Sequence, residues 1–250
     1  MHRSRTAVER SGFGATMRRD LWWLELLPII LVLGGFGVYA TWRAFEGAYY
    51  EWGPYLSPFY SPLIKPRWWP FSPAILILGG PLGFRATCYY YRKAYYRAFF
   101  LDPPACAVSE ARPKHYRGEA AFPLILQNLH RYFLFIALIF LIILWYDAVR
   151  AFWFEGHFGI GIGSFVLLAN IILLSLYTFS CHSLRHIVGG KIDCFSCVAF
   201  GGPRHATWRG ASFLIEHHML FAWLSLVSVG LADLYIRLVA SGAISDLRLL

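Results

Sequence analysis

The chain has 250 residues, 58% of them hydrophobic and 18% aromatic, and only 15% are charged, where an average soluble domain carries roughly a quarter. A chain this apolar cannot cover itself with polar surface, so a soluble fold is excluded; unpatterned glycine and only 5 cysteines also exclude collagen-like, disordered and disulfide-scaffold classes. What remains is an integral membrane protein, and it carries a formal net charge of +9.

A crossing helix needs about 20 mostly apolar residues, and five stretches qualify. The first runs over about 21–42, with Glu25 a turn from its start. A basic stretch precedes this full-length span with no small-residue cleavage site, so it reads as a span and not a signal peptide. The aromatic, proline-rich segment 43–72 follows and reads as lying in the headgroup belt. The second span covers about 72–90, opened by Pro73 and carrying Arg85 near its end. The third, about 126–145, is the cleanest; the fourth covers about 160–181 and the fifth about 213–236. The expected architecture is a single all-α membrane domain over 1–250, a bundle of five transmembrane helices with loops at about 91–125 and 183–211. No internal repeat is evident.

Orientation follows from Lys and Arg placement. With the N-terminus inside, 16 of these residues fall in cytoplasmic segments and 6 in outer ones. The prediction is N-terminus cytoplasmic, C-terminus outside, in the inner (plasma) membrane of the cell as a multi-pass protein.

All 5 Cys and 8 of the 9 His then fall at or beyond the cytoplasmic span ends. Cys88 closes span two, Cys106 sits in the next loop and His130 opens span three; Cys181, His182 and His186 close span four, and His217 and His218 open span five. Ionisable groups at membrane depth are costly and normally face the bundle interior with a partner, and bundles build cofactor sites from ligands on facing helices. Taken singly, a helix-end His reads as a headgroup contact and a Cys as a small core hydrophobe; the coincidence of layers points to a redox cofactor. His182 and His186 are spaced i, i+4 and share a helix face, while His217 and His218 cannot both point inward. Cys194-Phe195-Ser196-Cys197 is half a zinc site, a redox pair or a coincidence.

Constellations of soluble enzymes are missing: no nucleophile elbow, phosphate-binding loop or paired carboxylates. The run Tyr89-Tyr90-Tyr91-Arg92-Lys93-Ala94-Tyr95-Tyr96-Arg97 reads as an interfacial anchor for anionic lipid headgroups, and also as a docking face for a soluble partner and a quinone pocket. Lying at the membrane surface, it is a poor candidate for nucleic-acid binding, and no nucleic-acid partner is expected.

The blocks GFRATCYYYRKAYYRAFF (83–100), PPACAV (103–108), FPLILQNLHRYF (122–133) and SCHSLRHIVGG (180–190) resemble the single-chain, five-helix membrane anchor of succinate dehydrogenase, respiratory complex II. The resemblance is close over 80–190 and rests on helix count elsewhere. It implies an anchor for two soluble subunits, a flavoprotein and an iron–sulfur protein, and reduction of a quinone, menaquinone or ubiquinone, near the cytoplasmic face. Most such anchors hold haem b between two histidines; the variety resembled here is thought to embed a Rieske-like [2Fe–2S] cluster. Rieske centres use two Cys and two neutral His, which Cys88, Cys106 and Cys181 with His130, His182, His186 and His218 can supply. The resemblance orders Cys88 and Cys181 before Cys106, and His218 with His182 or His186 before His130. Relatives often carry a second Cys where this chain has Leu184, which binds no metal. Arg85, Tyr89, Tyr90 and Arg131 are the quinone-pocket candidates. The alternatives are a haem b anchor, or a structural anchor or small transporter with no redox centre.

Overall fold

Apolar runs broken by Gly, Pro and paired polar residues dictate where the helices start and stop. A computed structural model describes residues 12–110, 120–122 and 124–250. Helix α1 (Leu26–Glu46) follows a 3-10 turn at Trp22–Glu25 and ends at Gly47, whose φ of 63° is left-handed; glycine adopts that conformation at no steric cost, which is why it closes helices so often. Beyond it lies a hairpin, β1 (Glu51–Trp52) and β2 (Tyr55–Leu56). The segment expected to lie flat in the headgroup belt instead folds inward in part. Tyr55, Phe59 and Tyr60 are buried, and Tyr60 stacks on Tyr50 at 4.2 Å while its hydroxyl donates to the Arg43 carbonyl. Trp68 and Phe71 stay exposed.

The expected second span arrives in pieces: α2 (Pro73–Ile77), α3 (Gly79–Thr87) and, after a break at Cys88, α4 (Tyr89–Ala98). Leu78 keeps helical bonding across the first junction, but Pro81 has no N–H to give to the carbonyl one turn back. At Cys88 the backbone turns extended (φ −64°, ψ 128°), so the helix stops at Thr87 and not at Tyr90. Helix α5 (His130–Arg150) follows a 3-10 stretch, Leu124–Leu129. It runs past the expected end at 145 because the Asp147 carboxylate accepts a hydrogen bond from the Ser61 hydroxyl. A second hairpin, β3 (Trp153–Phe154) with β4 (His157–Phe158), leads to α6 (Ile162–Phe179). Cys181 is again extended (φ −73°, ψ 135°), and α7 (His182–Gly189) starts directly after it. Helix α8 (Gly201–Ile215) absorbs Phe213 and Leu214, so α9 starts only at His218 and runs to Ala240. The segments expected as loops are therefore helical in part.

Among the described residues, four helical stretches are long and apolar enough to cross a membrane: Trp22–Glu46, Leu124–Arg150, Ile162–Phe179 and His218–Ala240. Helices α2 and α3 together reach only from Pro73 to Thr87. Helix α6 packs most extensively on α9, and α5 bridges α6 and α3. A Cβ on Gly83 would run into the Phe133 ring, so glycine there lets α3 and α5 approach closely. The bundle has two differently built ends. At one, Tyr55 and Tyr235 donate to Asp246, and the C-terminal backbone bonds Ile160; burial first, with the Asp246 carboxylate also contributing, pushes the Tyr55 hydroxyl up to about 12, which keeps it a neutral donor. At the other, the helices break at Cys88 and Cys181 and start at His130 and His218.

Candidate cofactor site

The two cysteines are buried, 3% and 2% exposed, in a core cluster with Phe84, Tyr91, Leu134, Tyr177 and Ala222. Each occupies the extended corner between a helix that ends and one that begins, so its sulfur leaves the helical path and turns into the bundle. His130 and His218 are the first residues of α5 and α9, half-buried at the same level. The four meet in two pairs: Cys88 Sγ lies 3.5 Å from His218 Nε2, and Cys181 Sγ lies 3.1 Å from His130 Nε2.

The hydroxyl residue before each cysteine holds the other histidine. Thr87 Oγ1 meets His130 Nδ1 at 3.0 Å, and Ser180 Oγ meets His218 Nδ1 at 2.7 Å. Their hydrogen-bond accounting assigns the tautomers. The Thr87 hydroxyl donates its single proton to the Gly83 carbonyl at 2.7 Å, and Ser180 donates to the Tyr177 carbonyl at 2.9 Å. With a backbone carbonyl placed to take each hydroxyl proton, the hydroxyl oxygen is available to accept from Nδ1–H. In that arrangement both imidazoles are Nδ1–H tautomers with the Nε2 lone pair turned to a thiol. This is the state a metal-ligating histidine needs, with the outer-shell partner that normally enforces it.

An aromatic ring backs each imidazole: Phe84 stacks on His130 at 4.7 Å and Tyr177 on His218 at 5.3 Å. The two halves therefore repeat one pattern, Phe84-Arg85-Ala86-Thr87-Cys88 and Tyr177-Thr178-Phe179-Ser180-Cys181. In both, the aromatic supports one histidine, the hydroxyl orients a histidine and the thiol faces the opposite one. Sequence reading missed Thr87, Ser180 and this short repeat; aromatic-x-x-hydroxyl-Cys at the end of two apolar helices was the available signal.

Other candidates lie elsewhere. Cys106 is exposed in a loop, its carbonyl receiving Arg18. His182 and His186 are exposed on α7, because the break at Cys181 starts a new helix and removes their register with α6. His130, placed last among the histidines, occupies the position expected of one of them. Cys194 and Cys197 are joined by a disulfide, which takes both thiols out of the donor count. Among the described residues no group of three or more His, Cys, Asp or Glu converges tightly enough to hold one metal ion; the donors form two separate pairs.

Beside this layer lies an apolar cavity of about 680 Å³, walled by α1, α3, α4, α5, α6 and α9. Phe84 and Tyr177, the rings behind the two histidines, also line it. Of the quinone-pocket candidates only Arg85 lines it. Its guanidinium donates to Tyr91 Oη at 2.7 Å, Ser225 Oγ at 3.1 Å and the Ala222 carbonyl at 3.4 Å. Tyr89 is 66% exposed with Arg92 over its ring, Tyr90 receives the Trp223 indole N–H, and Arg131 is exposed. Tyr91 and Tyr95, from the same aromatic and basic run, line the cavity as well.

Residues 24–242 match the family of actinobacterial succinate dehydrogenase subunit SdhC. The chain belongs to that family. It is also similar to a chain of the solved Mycobacterium smegmatis Sdh1 complex in the apo form, at 46% identity and a TM-score of 0.84 over 94% of each chain. A comparison with curated proteins finds none that matches. As a member of the SdhC family the chain is a multi-pass membrane anchor subunit of succinate dehydrogenase, an oxidoreductase complex, and its partners are the other subunits of that complex.

Proposed function

We propose that this anchor carries a Rieske-like [2Fe–2S] cluster on Cys88, Cys181, His130 and His218 and delivers electrons from the soluble subunits to a quinone. The observation that carries the reading is the double tautomer lock. Two imidazoles are fixed with Nε2 free and facing two buried thiols, through contacts that exchange Cys88 with Cys181 and His130 with His218. Rieske centres place two thiolates on one iron and two neutral imidazoles on the other, so a like pair of Cys and a like pair of His suit that group. When bound, such a cluster takes up and passes on single electrons. The chain's own part is to keep Nε2 deprotonated through Thr87 and Ser180, to exclude water with Phe84, Tyr91 and Tyr177, and to hold a quinone within reach.

The cavity beside Phe84 and Tyr177 fits the apolar body of a quinone. Arg85 spends three N–H groups on protein partners, and a guanidinium has five, which leaves donors for a quinone carbonyl. In this reading α2 and α3 complete a fifth crossing, and the Cys/His layer faces the cytoplasm, where 16 Lys and Arg gather against 6 outside. The flavoprotein and iron–sulfur subunits dock on that face, and the lipid bilayer around the bundle is the plasma membrane.

Optical and EPR spectra of the reduced, purified complex test the reading. A Rieske signal of low average g, lost in Cys88→Ser and His218→Ala, is expected. A sharp haem α-band would overturn it in favour of a haem b anchor, and a colourless, EPR-silent anchor would leave a purely structural role.

A further inference from the structure

The two halves of the donor layer differ at one polar atom. Where one side has Phe84, the other has Tyr177, and its hydroxyl has no hydrogen-bond partner although the side chain is only 2% exposed. A buried hydroxyl without a partner is rare, and each such group asks for a reason. Tyr177 shares a buried cluster with Cys88, and its ring stacks at 5.3 Å on His218, whose Nε2 lies 3.5 Å from the Cys88 sulfur. The Arg85 guanidinium lies 4.7 Å from the centre of the Tyr177 ring. A neutral thiol already turned to His218 is a weak acceptor, whereas a thiolate accepts strongly.

We propose that the Tyr177 hydroxyl donates a hydrogen bond to the Cys88 thiolate when metal binds and raises the reduction potential of the bound group. This rests on the cluster reading above. Hydrogen bonds to ligating sulfur stabilise the more electron-rich, reduced state, which is one of the main ways a protein sets such potentials. On the Phe84 side Cys181 meets no ring hydroxyl among the described residues and receives the Ser183 backbone N–H at 3.4 Å instead, so the two sulfurs differ in the kind of donor they meet. The bond falls on the wall shared with the cavity, since Tyr177 lines both. A raised potential there helps draw electrons from the soluble donor to the place where the quinone must take them. Tyr177 acts through Cys88 and is a positioning residue.

The test is a redox titration of the Rieske EPR signal in the assembled complex carrying Tyr177→Phe. That variant copies the ring that Phe84 already presents on the other side, so stacking on His218 is kept. The expected result is a retained signal that is about tenfold harder to reduce at fixed ambient potential, a downward shift of about 59 mV for a one-electron couple, with KM for a short-chain menaquinone unchanged within about twofold. A retained signal with unchanged potential overturns the proposal. If KM alone rises, the hydroxyl serves the cavity instead, and the proposal also falls. Should Tyr177→Phe fail to assemble, Tyr177→3-fluorotyrosine supplies a stronger donor of nearly the same shape. Its potential must rise, and no rise overturns the proposal. A wild-type complex with no Rieske signal would overturn the cluster reading itself, and this inference with it.

Discussion

The two ends of the bundle solve the problem of buried polarity in opposite ways. At the end holding Asp233 and Arg237, charge is matched within the protein. Asp233 is fully buried and receives Tyr39, Ser57 and the Arg237 Nε. Arg237, 3% exposed, also reaches Glu46 and the carbonyls of Ala48 and Arg43. Among the described residues, the one donor left over there is Arg43 Nε, at the edge of the cluster. At the Cys/His end, two thiols and two imidazoles face each other as weak partners, a tyrosine hydroxyl is left over, and a large cavity opens beside them. Polar groups that a protein completes by itself hold the fold, and those left half-complete are where a second component belongs.

Substitutions separate these two kinds of polarity, and the largest effect is expected at the donors. Cys88→Ser, Cys181→Ser, His130→Ala or His218→Ala should each abolish the cluster signal while the chain still assembles, read by EPR beside size-exclusion profiles. Failure to assemble in all four would instead make this end structural and erase the contrast. Next comes Asp233→Ala, which leaves Arg237 buried with only Glu46 as counter-charge. Breaking buried pairs costs about 3–5 kcal/mol, and the remaining Glu46 contact places this one near about 3. Thermal unfolding in detergent reads the loss, and cluster content per folded chain should not change. Outer-shell partners sharpen the comparison further. Thr87→Ala or Ser180→Ala frees an Nδ1–H and should weaken metal retention about 10–100-fold, measured as iron lost to a chelator over time. The smallest effect is expected outside the layer: Cys106→Ser and His186→Ala should leave iron content and unfolding temperature unchanged. A lost signal in either would return those residues to the donor set.

Much of this was legible in the sequence, for physical reasons that differ by element. Uninterrupted apolar length announces α1, α5, α6 and α9, because the bilayer imposes about 20 residues whatever the packing. The extra turn of α9 was not legible, since Arg237 reads as a boundary until Asp233 is seen beside it. That Cys88 and Cys181 lie at a common depth was legible from the span ends. That His130 and not His182 or His186 meets them was not, because a shared helix face for those two assumes a helix unbroken through Cys181. The chain turns extended at that residue. Thr87 and Ser180 escaped notice because a hydroxyl near a helix end ordinarily bonds its own backbone. Here both do so and still offer lone pairs to a histidine from another helix.

Helix α1 buries only Leu26 and Ala44, yet it walls the cavity through Leu33, Phe36 and Ala40. Its attachment to α9 leans on the polar clasp of Tyr39, Arg43 and Glu46 around Asp233 and Arg237. Its other end rests on α4, with Gly34 set against the Phe99 ring. The side wall of the cavity is thus a beam seated at both ends, one by charge and one by packing, so loosening a single carboxylate frees one seat and leaves the other in place.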